Sequence, residues 1–490
     1  MRNLKNSRAC SKMIVGLCLA LFLSARVWAG DETLRKSVVK VFTTAQSIDY
    51  YEPWKPGGEI QLQGCGTVLP GQKILTTAHL VNKGNYIEIQ KFGETKRYVA
   101  KVEQVGYDLD LALLSVEDPD FFTGTQAVEF GQLPGPGAKL VIQGGDELSI
   151  KEDAVSNMEM VMGNESGREV PALLTNSAID GANNGCPVFS DGKFVGIPFD
   201  SAGKPDKTGS IIPINVVQRF FKGIAGGRAY DGFPDLGFYT QDLENPALRS
   251  YFKISPKQTG EIITKIFYGG SADGVLNVGD VLTGIDGNPV DDQGYIHLPK
   301  IGRVPECYLA TFYLNGEKIN LDILRDGQPM KIQMSLKPIS QLMPDRQDNR
   351  HPTYLVMAGF VFVPLTFNYY ATASWEAFKP ELQDLLFHGL LSEQQKQVVL
   401  ISHVLPHAIN KGYDKLTNVL VTKVNGQPIT EMKDLLEALE HPVEGYDVIE
   451  IDDHDWFGST IVVDADKTKQ ATDEIMDTFK IRSDRSEDLK

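Results

Sequence analysis

Two side chains able to carry a proton stand inside short apolar frames in the first half of this 490-residue chain. His79 ends the run Ile74-Leu-Thr-Thr-Ala-His79, and Asp110 lies within Tyr107-Asp-Leu-Asp-Leu-Ala-Leu-Leu114. Gly64-Cys65-Gly66-Thr67-Val68-Leu69 precedes them, and Ala178-Ile-Asp-Gly-Ala-Asn-Asn-Gly-Cys-Pro187 follows. An imidazole whose tautomer a buried carboxylate fixes is the base that takes a proton from a hydroxyl or thiol nucleophile. One histidine alone argues for little, since most are structural or exposed. Several such segments in a set order argue for more.

The elements that must position these residues read as short strands from about Val38 to Phe221. Ser37-Val-Val-Lys-Val-Phe42, Ile60-Gln-Leu-Gln63, Tyr86-Ile-Glu-Ile-Gln90 and Lys139-Leu-Val-Ile-Gln143 are apolar or alternating, with Gly and Pro breaks between them. That pattern predicts an all-β barrel or sandwich. A glycine-rich break at Gly223–Gly227 reads as a linker. A second block, 232–338, holds Leu236-Gly237-Phe238, Glu261-Ile-Ile-Thr-Lys-Ile266 and Val278-Gly-Asp-Val-Leu282. It also has a hairpin turn at Ile285-Asp-Gly-Asn-Pro-Val290. A third block, 350–465, opens with Val356-Met-Ala-Gly-Phe-Val-Phe362 and inserts a helical stretch, Trp375 to Val399. It then repeats the turn at Asn425-Gly-Gln-Pro-Ile429, and an amphipathic helix is expected from Met432 to Leu439. Blocks two and three read as diverged copies of one module. The charged tail, 466–490, is expected to be one short helix followed by disorder.

In order, the motifs of the first block resemble those of the HtrA/Deg serine proteases, whose pattern is T-A-A-H, D-L-A-L-L and G-N-S-G-G-P. Here the letters are T-T-A-H, D-L-A-L-L and A-N-N-G-C-P. The resemblance implies a mainly β chain: a chymotrypsin-like double β-barrel over residues 30–226, followed by two PDZ-like α/β domains. It places His79 as base, Asp110 as orienting carboxylate and Asn184 at the nucleophile position; Asp108 lies two residues too early. An amide nitrogen, delocalised into its carbonyl, cannot be activated as a hydroxyl is. Ala182, Asn183 and Asn184 form the expected oxyanion region, and Gly144-Gly145-Asp146-Glu147 is the loop facing it, where two acids oppose a developing oxyanion. Cys186 is two positions past Asn184 and is a poor substitute nucleophile. In this fold, Cys65 and Cys186 stand on neighbouring segments, which implies a disulfide, the alternative being two small buried thiols.

The second and third blocks resemble PDZ domains. Leu236-Gly237-Phe238, and less clearly Ala358-Gly359-Phe360, look like the loop whose backbone N–H groups cradle a C-terminal carboxylate while the peptide adds as a strand. Gly232-Phe-Pro-Asp-Leu-Gly-Phe238, Gln241-Asp-Leu-Glu-Asn-Pro-Ala-Leu-Arg249 and the tail at Ala471-Thr-Asp-Glu-Ile475 resemble the extended Deg branch of plant enzymes and their bacterial relatives. That likeness implies a homo-oligomer, a trimer or larger.

Composition limits the partners. Residues 1–29 have a basic start (Arg2, Lys5, Arg8, Lys12), an apolar run, Met13 to Leu23, and a small-residue end, the layout of a secretory signal peptide. The run is too short to span a bilayer, so an exported chain, periplasmic or secreted, with no membrane span after cleavage is expected. Removing five basic residues and no acidic one takes the net charge from −16 to −21. So acidic a chain does not suit nucleic acid. Three cysteines remain after cleavage, Cys65, Cys186 and Cys307, enough for one disulfide. His403 and His407 flank Pro406 without a third ligand, so no metal is expected, and no cofactor motif is found. Asp452 to Asp455 reads as a solvated hairpin tip. The expected function is that of a catalytically inactive homologue that binds unfolded proteins or C-terminal peptides in quality control; the alternative is an active endopeptidase.

Overall fold

The computed structural model describes residues 34–490 apart from 83, 145–148, 165, 203–206, 340, 344–350, 373–377 and 453–459. Six strands close a first barrel in the order β1-β2-β3-β6-β5-β4: β1 Val38–Ile48, β2 Pro56–Leu69, β3 Lys73–Thr76, β4 Gly84–Lys91, β5 Arg97–Gly106 and β6 Leu111–Val116. Alternation in β1 turns Val39 and Val41 inward to meet Ile74, Ile89 and Leu114. A second barrel is built from β7 Lys139–Gly144, β8 Ser149–Gly163, β9 Glu169–Thr175, β10 Val188–Ser190, β11 Lys193–Pro198 and β13 Ser210–Pro213, with β12 Ser201–Ala202 beside β8. Its order β8-β7-β10-β11-β13-β9 returns to β8. This is the double barrel that the resemblance implies, and it decides between the barrel and the sandwich that the strand pattern left open.

The helix Ile214–Ile224 leaves the second barrel and buries Val216, Val217 and Phe220 in that barrel's core. The glycine-rich break after it is not a loose linker. Arg219, 2% exposed, donates to the carbonyls of Tyr313 (3.0 Å) and Gly232 (2.7 Å) and to the Tyr230 hydroxyl (3.2 Å). Such a cation is tolerated in a core only when its donors are satisfied. The first barrel joins this strut through Asp108, whose carboxylate accepts the Phe233 N–H at 2.7 Å.

In the second block, β14 Pro234–Asp235 pairs with Lys337–Pro338. β15 Phe238–Asp242 is the edge of a sheet that continues through β16 Glu261–Ile266, Val281–Ile285, Lys318–Arg325 and Gln328–Ser335. The turn after Ile285 pairs Ile285 with Asn288, as predicted. In the third block the turn at Asn425 pairs Val424 with Gln427, and the helix Met432–Leu439 packs Met432, Leu435 and Ala438 inward. The helical insertion differs from expectation. Its expected start, Trp375, lies outside the described residues; among those described its helices are Phe367–Thr372 and Pro380–His388, and Val399 already belongs to the strand Val399–Val404. His403 and His407 are not on one helix: His403 lies in that strand and His407 caps the short turn Ala408–Asn410.

The tail holds the helix expected of it and departs from its reading only after that helix. Ala465–Phe479 is a helix that buries Ala471, Thr472 and Ile475. Beyond it, the Val356 N–H donates to the Asp484 carbonyl and the Ser486 N–H to the Tyr354 carbonyl. A charged face hid a sparse apolar stripe. Across the chain, Tyr51 of the first barrel's β1–β2 hairpin stacks on His403 at 4.3 Å, with Trp54 beside it. Among the described residues no helix is long and apolar enough to cross a membrane.

Candidate functional site

The buried strand β3 ends at Thr76 and leads into a one-turn helix, Ala78–Leu80, that presents His79 at the barrel mouth. Asp110 closes the turn Tyr107–Leu109 in a left-handed conformation (φ 52°), a posture that aspartate tolerates better than bulkier residues, just before β6. That posture lets one carboxylate hold His79 twice. Oδ2 lies 2.8 Å from the ring Nδ1, and Oδ1 accepts the His79 backbone N–H at 2.9 Å. Nδ1 therefore carries the proton, leaving Nε2 as the acceptor that a general base requires.

Asn184, 4% exposed, faces that acceptor: its Nδ2 is 3.5 Å from His79 Nε2, at the outer limit of a hydrogen bond. The order His79, Asp110, Asn184 read from sequence is thus brought together in space. The segment before Asn184 is a tight turn, Gly181–Asn183, capped by Asp180. The Asp180 carboxylate accepts the Ala182 N–H at 2.9 Å; the Asn183 and Asn184 N–H groups donate to the carbonyls of Asp180 and Gly181, each at 2.9 Å. The N–H groups of Ala182, Asn183 and Asn184 are all occupied by the chain itself. Asp180 was missed in the sequence, although Asp-Gly before a polar run is a turn signal of the kind that places a carboxylate over N–H groups two residues on.

Cys65 on β2 and Cys186 are joined by a disulfide with a Cα–Cα distance of 4.8 Å, and both are buried. The bond ties one barrel to the other beside Asn184. Gly144 lies against it, so close that a Cβ there would collide with the Cys186 sulfur. Gly185 (φ 80°) makes the turn between Asn184 and the disulfide, where any side chain would strike the Cys65 carbonyl. Gly145, Asp146 and Glu147, expected to oppose an oxyanion, lie outside the described residues, as do Asp453 to Asp455 of the acidic cluster. Cys307 is not in this site; burial pushes its thiol pKa well up.

The two candidate carboxylate loops differ. In the second block the Gly237 N–H donates to the Asp235 carboxylate at 2.6 Å, and Phe238 pairs with Ile266. In the third block, Leu355–Met357 folds back on Phe360–Pro364 as a hairpin, pairing Met357 with Phe360. Ala358 is fully buried: its N–H donates to Thr472 (2.8 Å), and its carbonyl accepts from Asn410 (2.7 Å). The strand position that a peptide would take beside Phe360 is filled by the chain itself. Ala358, Gly359 and Phe360 are therefore a closed turn and not an open peptide loop. The sequence misleads here because Val-Met-Ala-Gly-Phe reads equally as a loop before a strand and as a tight hairpin.

Residues 64–197 match the trypsin-like peptidase domain family, and residues 343–488 match the PDZ domain family, whose span includes the tail helix. The chain is 30% identical over 474 residues to the chloroplastic protease Do-like 2 of Arabidopsis thaliana, covering 94% of this chain and 76% of the relative. It is also 30% identical over 408 residues to that plant's mitochondrial protease Do-like 4, covering 82% and 76%. The solved structure of the HtrA-type protease AlgW with a decapeptide aligns with 63% of this chain and 97% of its own, at 17% identity and a TM-score of 0.45. These relatives are chloroplastic and mitochondrial proteins, which overturns the expectation of a periplasmic or secreted chain. A basic, acid-free leader is common to export signals and organellar transit peptides, so its composition misled; residues 1–33 are outside those described. Two barrels that meet at a His79–Asp110 pair, matches to peptidase and PDZ families, and this identity along most of the chain together place the protein in the Do-like, or HtrA/Deg, family of proteases.

Proposed function

We propose that this chain is a proteolytically silent member of its family that binds unfolded polypeptide segments as a chaperone or quality-control factor. The observation that carries the reading is the amide of Asn184 opposite His79 Nε2, where acyl transfer needs a hydroxyl. The occupied N–H groups of Ala182, Asn183 and Asn184 support it, since an oxyanion needs donors that are free when charge develops. The exposed edge of β15 supports segment binding, because an open strand edge is a template for an extended chain. Assembly through the barrels into trimers or larger rings belongs to the same reading.

The intact His79–Asp110 pair favours one alternative, an active endopeptidase. Incubation of the protein with a serine-reactive fluorophosphonate and an unfolded substrate protein separates the two. The silent reading expects neither labelling nor cleavage, together with suppressed aggregation of the unfolded protein. Labelling of the unmodified chain would establish the alternative.

A further inference from the structure

A PDZ-type groove has two sources of affinity: a nest of backbone N–H groups for a terminal carboxylate, and a strand edge for the peptide backbone. In the third block both are closed by the hairpin Leu355–Pro364. In the second block they are separated. β15 is an edge strand; among the described residues no strand pairs with its outer side, and Tyr239, Gln241 and Asp242 are exposed. The nest at its start already holds a carboxylate, that of Asp235, on the Gly237 N–H. Asp235 is fixed there from behind: its backbone carbonyl accepts the Ser271 hydroxyl at 2.5 Å, and the residue pairs with Lys337. Gly237 has no room for a side chain, since a Cβ there would lie 2.8 Å from the Ser271 nitrogen. A second carboxylate arriving at the Gly237 N–H would meet the half-buried Asp235 carboxylate already bonded there.

The far end of the edge is acidic, with Asp242 and Glu244 exposed there. At its start Glu169 of β9 acts on both Asp235 and Tyr239, and Lys265, opposite Tyr239, Arg168 and Lys337, paired with Asp235, are the basic neighbours. The chain as a whole carries a net charge of −16.

The geometry points to an internal ligand: β15 receives an extended stretch from within an unfolded chain, bearing lysine or arginine toward Asp242 and Glu244, and does not read a free C-terminus. This rests on the segment-binding part of the function proposed above and names its substrate class.

The test uses the full-length protein and fluorescein-labelled ten-residue peptides followed by anisotropy. One extended, lysine-bearing sequence is made with a free carboxylate, with an amidated C-terminus, with N-methyl groups on alternate residues, and with glutamate in place of lysine. The free and amidated forms are expected to bind within about twofold of each other, and N-methylation is expected to weaken binding at least about tenfold, because main-chain hydrogen bonds supply the affinity. The glutamate peptide should bind at least about fivefold more weakly. Hydrogen exchange of the unmodified protein with the amidated peptide should protect Phe238–Asp242. Asp235→Ala should create a preference of about tenfold for the free carboxylate; if that variant does not fold, the peptide series on the unmodified protein still decides the matter. A preference of fivefold or more for the free carboxylate in the unmodified protein, indifference to N-methylation, or protection elsewhere would overturn the inference while leaving segment binding intact. Failure of every peptide to bind would overturn segment binding and the inference with it.

Discussion

The Asn184 side-chain nitrogen stands 3.5 Å from His79 Nε2, while the other ring nitrogen of His79 is held by Asp110 at 2.8 Å. The base is assembled, and what faces it has no proton worth taking. Restoring a hydroxyl by Asn184→Ser is expected to give slow fluorophosphonate labelling where the unmodified protein gives none. The label should stay slow because Asp180 still holds the Ala182 N–H. Adding Asp180→Ala frees that donor and should raise the labelling rate by about tenfold to a hundredfold, given what a single oxyanion donor contributes. Equal rates in the single and double variants would show that the Ala182 N–H takes no part.

The Cys65–Cys186 bond spans 121 residues of sequence and closes a long loop in the unfolded chain. Reduction, or the paired Cys65→Ala and Cys186→Ala change, is expected to cost about 2–4 kcal/mol. Urea unfolding with and without a phosphine reductant measures this, and the paired variant should lose its sensitivity to the reductant.

Two buried groups give opposite dependences on pH. Burial beneath Tyr51 and Trp54 lowers the His403 pKa from 6.5 to about 4. Above pH 6.5 it is neutral whether folded or not. As pH falls toward 4 the unfolded chain gains a proton that the fold refuses, so stability drops by up to about 3 kcal/mol. Burial raises Glu261 from 4.5 to about 7 and raises its neighbour Glu306 well above the usual range. Here the unfolded carboxyl ionises first, and stability falls as pH rises from 4.5 toward 7. The slopes oppose one another in the unmodified protein. His403→Phe should leave a melting temperature that declines with rising pH, and Glu261→Gln one that declines with falling pH; calorimetry across pH 4 to 7.5 reads both.

Arg219→Met removes a buried cation and leaves the carbonyls of Tyr313 and Gly232 without their donor. A loss of about 2–4 kcal/mol is expected, since each buried carbonyl left without its donor costs about 1–3 kcal/mol. Because the strut joins the second barrel to the second block, urea unfolding should split from one transition into two.

The parts of the site legible in the sequence were those set by local pattern. His79 and Asp110 each lie next to a short run of buried apolar residues, and the barrels orient such runs reliably. Asn184 was legible only through the resemblance, as the residue of A-N-N-G-C-P that stands where the family's motif has serine. The Asp180 cap was not, because whether an aspartate reaches the N–H groups ahead of it depends on a backbone turn that the letters permit but do not dictate. Closure of the Ala358 turn depends on Thr472 and Asn410, which are distant in sequence. The end of the tail, after its expected helix, was misread because its buried Ile481 and Leu489 are diluted by charge, and only the domain they pack against gives them a partner.

The last residues of the chain are bonded into the third block's sheet edge through Asp484 and Ser486, and Leu489 is buried in its core. A premature stop codon in this stretch would remove a sheet margin and a core side chain together. Loss of residues 484–489 should accordingly be tolerated no better than a cavity-forming substitution in the domain's interior.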